Sequence, residues 1–588
     1  MATILDLPPE IHPFIVGHLT PRQILSCILV CRYLHASFKA YLWADVVVRP
    51  LMRQIDSSLI RANAHLVERL AYPAAVTEEH YTTIAYPRLR ELRFYTYSGF
   101  LANTTGARVG SGTSVGSRVD DSQGSPNSVG ALRQVAKLPP SQWKAHFARQ
   151  HPHVRKLTFC HRDPESRAFW EVVETDWKEL EELDMGGIIE RDALETFWRV
   201  CSGDTGTRRG RGKEGGEARG GGGGGGRGVR HLRFTGIKFP GGDSYLSTMS
   251  FERLETLAIV TYPWNHEQDR YRSWPLVLLE QVKKTSRGLR RLEWHISYIP
   301  FPVQMVRVAL AEGCWPDLTA LVIKDMECSE EDVVEVLGML SLRRLTALDV
   351  HGCGSGYKFG RLLFDCLREM QCFDHLRELD VGRCTGVSSM MAQEVLMGCV
   401  HLVYVEVPFI LVRDVVTASK PWNCLRLERL VVYIAKQDGD EAEWEERVFE
   451  QISRLGRMRF MYLERYPYDL DRIMNSTTLN LRLLSLPPSP SIAVNTATNN
   501  SNSQDSDGSV LKRGGNGGGI GWLSSLLQLR EFTFDDVRQR LGMEEAMWMM
   551  KNWRDLVCVR GTFKGVSEGD DTERLKRLFA ARGIEHYS

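Results

Sequence analysis

The chain has no apolar run near the roughly twenty residues that cross a bilayer. Its richest apolar stretch, Val400 to Val412, is broken by Glu406 and Pro408. No membrane span is expected. It also has no excess of one charge: 74 basic residues stand against 73 acidic ones in 588, which removes the electrostatic footprint of a dedicated nucleic-acid binder. Its 13 cysteines are odd in number, run from Cys27 to Cys558 and include no C-x-x-C pair. Reduced thiols in the cytosol or nucleus are therefore expected, not a disulfide framework or a zinc site. The N-terminus lacks a basic n-region and has Asp6 where a leader's apolar core would run, so no secretory signal is expected.

Catalytic motifs are also missing. Neither H-E-x-x-H nor G-x-S-x-G occurs. His161-Arg162-Asp163 mimics a kinase catalytic loop, but Pro164 and Ala168 depart from the pattern and no D-F-G follows. Gly352 to Gly356 lacks both the spacing and the ending of a phosphate loop. No catalytic residue, metal ligand set or cofactor is expected, and the chain reads as a binding protein, not an enzyme.

The first forty-odd residues are dense in large apolar side chains. Leu7-Pro8-Pro9 suits a helix start. Ile11, Phe14, Ile15 and Leu19 follow at spacings of three and four, the stripe of an amphipathic helix. Thr20-Pro21 ends that helix and opens a second, which carries Ile24, Leu25, Ile28, Leu29 and Cys31; a third, shorter apolar segment closes on Leu42-Trp43. Three short helices cannot bury so much apolar surface among themselves, so a partner surface is expected.

L-P-x-E-I, Ile15, Leu19, Ile24-Leu25, Cys27, Val30-Cys31-Arg32 and Leu42-Trp43 resemble an F-box, the helical module by which many ubiquitin-ligase receptors dock on a Skp-type adaptor. The resemblance implies adaptor binding by Leu7, Pro8, Glu10, Ile11, Ile15, Leu19, Leu25, Val30, Cys31 and Trp43. It departs from the family at Gln23-Ile24, usually Asp-Leu, and at Leu34, usually Trp.

From Leu89 onward a motif recurs: an apolar residue, two others, an apolar, one other, an apolar. Leu318-Leu321-Ile323, Leu345-Leu348-Val350, Leu376-Leu379-Val381, Leu402-Val405-Val407 and Leu427-Leu430-Val432 are clean copies, and weaker ones reach Leu529-Phe532-Phe534. A period near 25 to 30 residues with this motif is that of leucine-rich repeats. The second and third apolar residues share one face of a strand. Between strands, Val333, Val336, Leu337 and Leu340 follow a helical stripe, with Ser329 placed to cap it. Ala392, Val395, Leu396 and Cys399 repeat the stripe in a later unit.

The expected fold is an α/β solenoid: a three-helix F-box, then a curved leucine-rich-repeat array with parallel inner strands and outer helices. The domains expected are an F-box at 1–48, a helical linker at 49–86, repeats at 87–486, a low-complexity insert at 487–520, and last repeats with a capping helix at 521–588. Two further Gly/Ser-rich inserts, about 101–130 and 202–228, have too little apolar content to order. The whole arrangement resembles fungal F-box/leucine-rich-repeat proteins.

Side chains flanking the buried strand positions point to the inner face. Arg291, His295, Lys324, Asp349, His351, Asp380, Tyr404, Glu406, Arg429 and Tyr433 are expected there as a target-binding strip. Together these features imply a substrate receptor of a Skp–cullin–F-box ligase. Its partners would be the adaptor, through it a cullin–RING ligase, and a target protein. The alternative is a repeat scaffold without a ligase role. A nucleic-acid role through the Gly/Arg insert fits the near-zero charge least.

Overall fold

The computed structural model describes residues 8–17, 19, 21–48, 57–73, 83–95, 140–160, 165–203, 227–239, 243–261, 273–296, 299–324, 330–340, 345–353, 357–369, 371–384, 386–418, 420–437, 442–464, 477–478, 481, 519–535, 541–561, 563 and 570–587. The kinase-like triplet at 161–163, the insert at 101–130 and nearly all of the other two inserts lie outside them. The chain divides into two compact units, Met1–Leu318 and Thr319–Ser588. Among the described residues no helix is long and apolar enough to cross a membrane.

The first unit opens with three helices, α1 (His12–Gly17), α2 (Pro21–Ile28) and α3 (Arg32–Ala44). Their core is Val16, Ile24, Leu34 and Phe38, with Ile15, Leu19, Cys27, Ile28, Cys31, Tyr41 and Leu42 packed around it. The third helix, expected to be the shortest, is 13 residues long. Cys31 is extended and its Sγ accepts the Leu34 N–H at 3.5 Å, so the helix begins cleanly and carries Leu34 and Phe38 one turn apart on its buried face.

α3 runs directly into β1 (Asp45–Val47), which pairs in parallel with β2 (Arg69–Pro73). The sheet therefore starts inside the stretches expected as F-box and helical linker, although a helix, Ser57–Asn63, does lie there. Trp43-Val46-Val48 and Val67-Leu70-Tyr72 have the same spacing as the later motifs. Val46, Val48, Val67, Leu70 and Tyr72 are all buried.

β3 (Glu91–Tyr95), β4 (Lys156–Cys160), β5 (Glu182–Ile188), β6 (His231–Lys238), β7 (Thr256–Thr261) and β8 (Arg291–Ile296) follow, each parallel to the last. Motif leucines sit opposite one another: Leu70, Leu92, Leu157, Leu183, Leu232, Leu257 and Leu292 are register partners along the row. One backbone carbonyl per step ties neighbours together. Arg90 O accepts from Arg155 N at 2.7 Å and from Lys156 N at 3.0 Å. The helices after the strands pack an aromatic core, in which Trp170 meets Phe197 at 4.9 Å and Trp274 meets Phe239 at 4.7 Å between ring centroids.

The second unit repeats the plan with β9 (Ala320–Ile323), β10 (Ala347–Asp349), β11 (Glu378–Asp380), β12 (Tyr404–Leu411), β13 (Arg429–Lys436), β14 (Phe460–Glu464), β15 (Thr477–Thr478), β16 (Glu531–Asp535), β17 (Cys558–Arg560) and β18 (Glu585–Tyr587). All described pairings are parallel except the short antiparallel contact of β15 with β13. Val333, Val336, Leu337 and Leu340 are buried on the helix Glu330–Met339 and its end, as are Ala392, Val395, Leu396 and Cys399 in the later layer. Ser329 lies outside the described residues.

Two cysteines tie turns to the preceding layer. The Cys353 thiol donates to Ile323 O at 3.3 Å, and the Cys384 thiol donates to Val350 O at 3.0 Å and Cys353 O at 3.1 Å. The last helix, Asp570–Ala581, buries Leu575 and Phe579 and stops at Gly583, whose φ of 73° suits glycine. It is not the final element: β18 follows and pairs with β17. Strands with helices on the covering side, unclosed, make each unit an α/β solenoid.

Candidate functional site

Two places on this frame carry polar or apolar groups beyond what packing needs. The first is the outside of the three helices. Phe14 on α1 is 71% exposed and Leu29, just past α2, 78% exposed, with Val30, Ile11, Leu25 and Tyr33 exposed beside them in sequence. Isolated exposed leucines are ordinary, but this many large apolar side chains on one small module is not. Of the residues expected to bind an adaptor, Pro8, Glu10, Ile11, Leu25 and Val30 are exposed. Leu7 lies outside the described residues.

Ile15, Leu19 and Cys31 turn inward against the helical core, with Cys31 also capping α3. Trp43 is half-buried and begins the first strand motif. Sequence reading did not pick out Phe14 and Leu29 as anchors, because a stripe of spacing three and four does not say which of its edges faces the core.

The second place is the strand face of the second unit. Asp349, Asp380 and Glu406 occupy the same position in three consecutive motifs, each between two buried apolar residues. The register sets Asp349 beside Asp380 and Asp380 beside Glu406. Adjacent strands are only about 4.8 Å apart, so three like charges in a row repel unless cations answer them. Val322 precedes the row and Val431 follows it, so the acids end after three strands.

The answering groups stand two positions from this row, Lys324 beyond Val322, His351 beyond Asp349 and Tyr404 before Glu406. Lys324 Nζ lies 2.6 Å from Asp349 and 3.8 Å from Asp380. His351 Nδ1 lies 3.0 Å from Asp380 Oδ1 and 3.4 Å from Glu406 Oε1. The Tyr404 hydroxyl reaches Glu406 Oε2 at 2.7 Å and Asp380 Oδ2 at 3.1 Å. Asp380 Oδ1 also accepts the Gly382 N–H at 3.0 Å.

These contacts set the protonation states. Burial, reinforced by the Asp380 charge, raises the Asp349 carboxyl to about 6 against the pull of Lys324. Burial alone would lower the His351 imidazole, but Asp380 and Glu406 outweigh it and raise it to about 9. Burial and the same two carboxylates push the Tyr404 phenol far up, so it stays a donor.

Beyond the acids the face becomes aromatic. Arg429 lies 5.1 Å from the ring centroids of both Tyr404 and Tyr462, and the Tyr462 hydroxyl donates to Glu531 at 2.6 Å. Arg560 lies 5.3 Å from the Tyr587 ring. Tyr462, Glu531, Arg560 and Tyr587 were missed in the sequence because their motifs are interrupted or short. Their flanking position in each motif was the available signal.

The structure thus gathers Lys324, Asp349, His351, Asp380, Tyr404, Glu406 and Arg429 into one network. Tyr433 does not belong to it. It is buried in a small cluster with Ala435, Phe409 and Leu411. The β12–β13 register shifts between Glu406 and Phe409, and beyond that irregularity β13 covers its face with apolar residues. Arg291 and His295 are half-buried on β8 of the first unit. The face there carries its own pairs, such as Arg233 with Glu293 at 3.4 Å.

A family profile described as F-box-like matches residues 4–49. No curated protein matches the chain. Among solved structures, a chain of the yeast Rad7 and Elc1 complex aligns over 74% of this chain and 94% of its own length, at 12% identity and a TM-score of 0.37.

Proposed function

We propose that this chain is the non-catalytic substrate-recognition subunit of a Skp–cullin–F-box ubiquitin ligase, its helices engaging the adaptor and its leucine-rich-repeat solenoid holding a target protein. The observation that carries the proposal is the exposed apolar surface around Phe14, Leu29 and Val30 on the segment that the F-box-like profile matches. Such an interface commonly buries about 800 Å² per partner and is driven by a few desolvated anchors.

The departures at Leu34 and Gln23 bear little on that surface. Leu34 is a core residue, and Gln23 is a polar exposed one. Binding would hold target lysines near the ligase and raise their effective concentration. The second unit's face, with Arg429 between two tyrosine rings, is the surface offered to the target; Tyr, Arg and their neighbours are the residue types that anchor protein interfaces.

The reading is tested by mixing the purified full chain with a Skp-type adaptor and a cullin–RING pair and resolving the mixture by size. One assembly containing all components is expected. A well-folded chain that elutes apart from the adaptor would leave the scaffold reading in its place.

A further inference from the structure

We propose that His351, Asp380 and Glu406 form a binding site for a divalent first-row metal ion such as Mn²⁺ or Zn²⁺, tying the turn after β10 to β11 and β12. Each residue offers one ligand atom, and the three atoms lie within 4.8 Å of one another. The separations from His351 Nδ1, 3.0 Å to Asp380 and 3.4 Å to Glu406, match two ligands on one ion. Ligand atoms at about 2.1 Å from a metal, at right or tetrahedral angles, stand about 3.0–3.4 Å apart. One imidazole nitrogen with two carboxylates suits Mn²⁺, Fe²⁺ or Zn²⁺.

Three observations separate this site from an ordinary acidic patch. Both carboxylates are buried, Asp380 with 3% and Glu406 with 9% of the side chain exposed. A plain acidic surface cluster would stand in water. Second, oxygen and nitrogen ligands converge: both buried carboxylates turn an oxygen on the single nitrogen His351 Nδ1.

Third, the backbone makes room. A Cβ on Gly382 would stand 2.5 Å from Glu406 Oε1, so only glycine lets that carboxylate lie against His351. The ligands are one repeat apart in sequence, 29 residues from His351 to Asp380, which is why no short metal motif betrays them. Lys324 and His351, at 29% and 13% side-chain exposure, leave the site open to solvent on one side.

The test uses the full chain, stripped with a chelator and titrated with Mn²⁺ while free ion is followed by electron paramagnetic resonance. One Mn²⁺ per chain is expected, displaced by Zn²⁺, with a raised unfolding midpoint for the second unit. Pulsed measurements should show one imidazole nitrogen coupled to the bound ion, a readout that needs no variant. His351→Gln and Asp380→Asn should each weaken binding at least tenfold, while Tyr404→Phe keeps all three ligand atoms and should still bind. No bound Mn²⁺ in the wild-type chain, no nitrogen coupling, or binding unchanged in both ligand variants would overturn the proposal. The site is independent of the helical module, so loss of adaptor binding would leave this result untouched.

Discussion

The backbone N–H of Tyr86 donates to His151 Nε2 at 3.0 Å, while the other ring nitrogen of His151 bonds Phe147 O at 2.7 Å. Nε2 must therefore keep its lone pair, and a second proton there would face a donor. Burial of the ring works the same way and lowers its pKa to about 4. The folded chain then binds fewer protons than the unfolded one between about pH 6.5 and 4, so the stabilisation is complete above 6.5 and is lost as pH falls through that window. The loss is at most about 3 kcal/mol. Denaturant unfolding at pH 7 and pH 4.5 is expected to show a drop that shrinks in His151→Gln. An equal drop in both proteins would contradict this.

Lys144 and Glu165 form a buried ion pair at 2.5 Å, with the ammonium 5.4 Å from the Phe94 ring centroid. Removing one partner of a buried ion pair costs about 3–5 kcal/mol, whereas replacing both with apolar residues of similar volume is close to neutral. Glu165→Gln should therefore lower the first unit's unfolding midpoint sharply, and Lys144→Met with Glu165→Leu should restore most of it. A double variant worse than the single one would refute the argument.

Phe38 and Phe14 separate folding from binding. Phe38 is fully buried in the three-helix core, and Phe14 faces solvent. Phe38→Ala should cost about 3–5 kcal/mol and unfold the module locally, detected as fast amide exchange in α1 to α3. Phe14→Asp should leave exchange unchanged. If Phe14→Asp unfolds the helices instead, its side chain is structural and the exposed surface is misassigned.

Most of the strand pattern was legible because one rule, apolar residues at fixed offsets, holds wherever a strand stacks on its neighbour. Leu321, Leu348, Leu379 and Val405 fall where that rule puts them, in register. The first two strands were missed because Trp43-Val46-Val48 overlaps the helical module and was read as part of it. β18 was missed because Gly583 reads as the end of a helix, and nothing in Glu585-His586-Tyr587 marks another pairing.

The acid network was half legible. Alternation placed Asp349, Asp380 and Glu406 on the inner face, but only pairing across strands shows that their charges meet. Tyr433 went wrong for the opposite reason: alternation assumes an unbroken ladder, and the register shift after Glu406 breaks it.

The most direct measurement is a titration of a Skp-type adaptor against the intact chain and against Phe14→Asp/Leu29→Asp, two exposed positions whose change should not disturb the core. The account predicts binding by the intact chain and a loss of at least about a hundredfold, roughly 2.7 kcal/mol, in the double variant. Equal affinity for both proteins, or none for a well-folded intact chain, would contradict it.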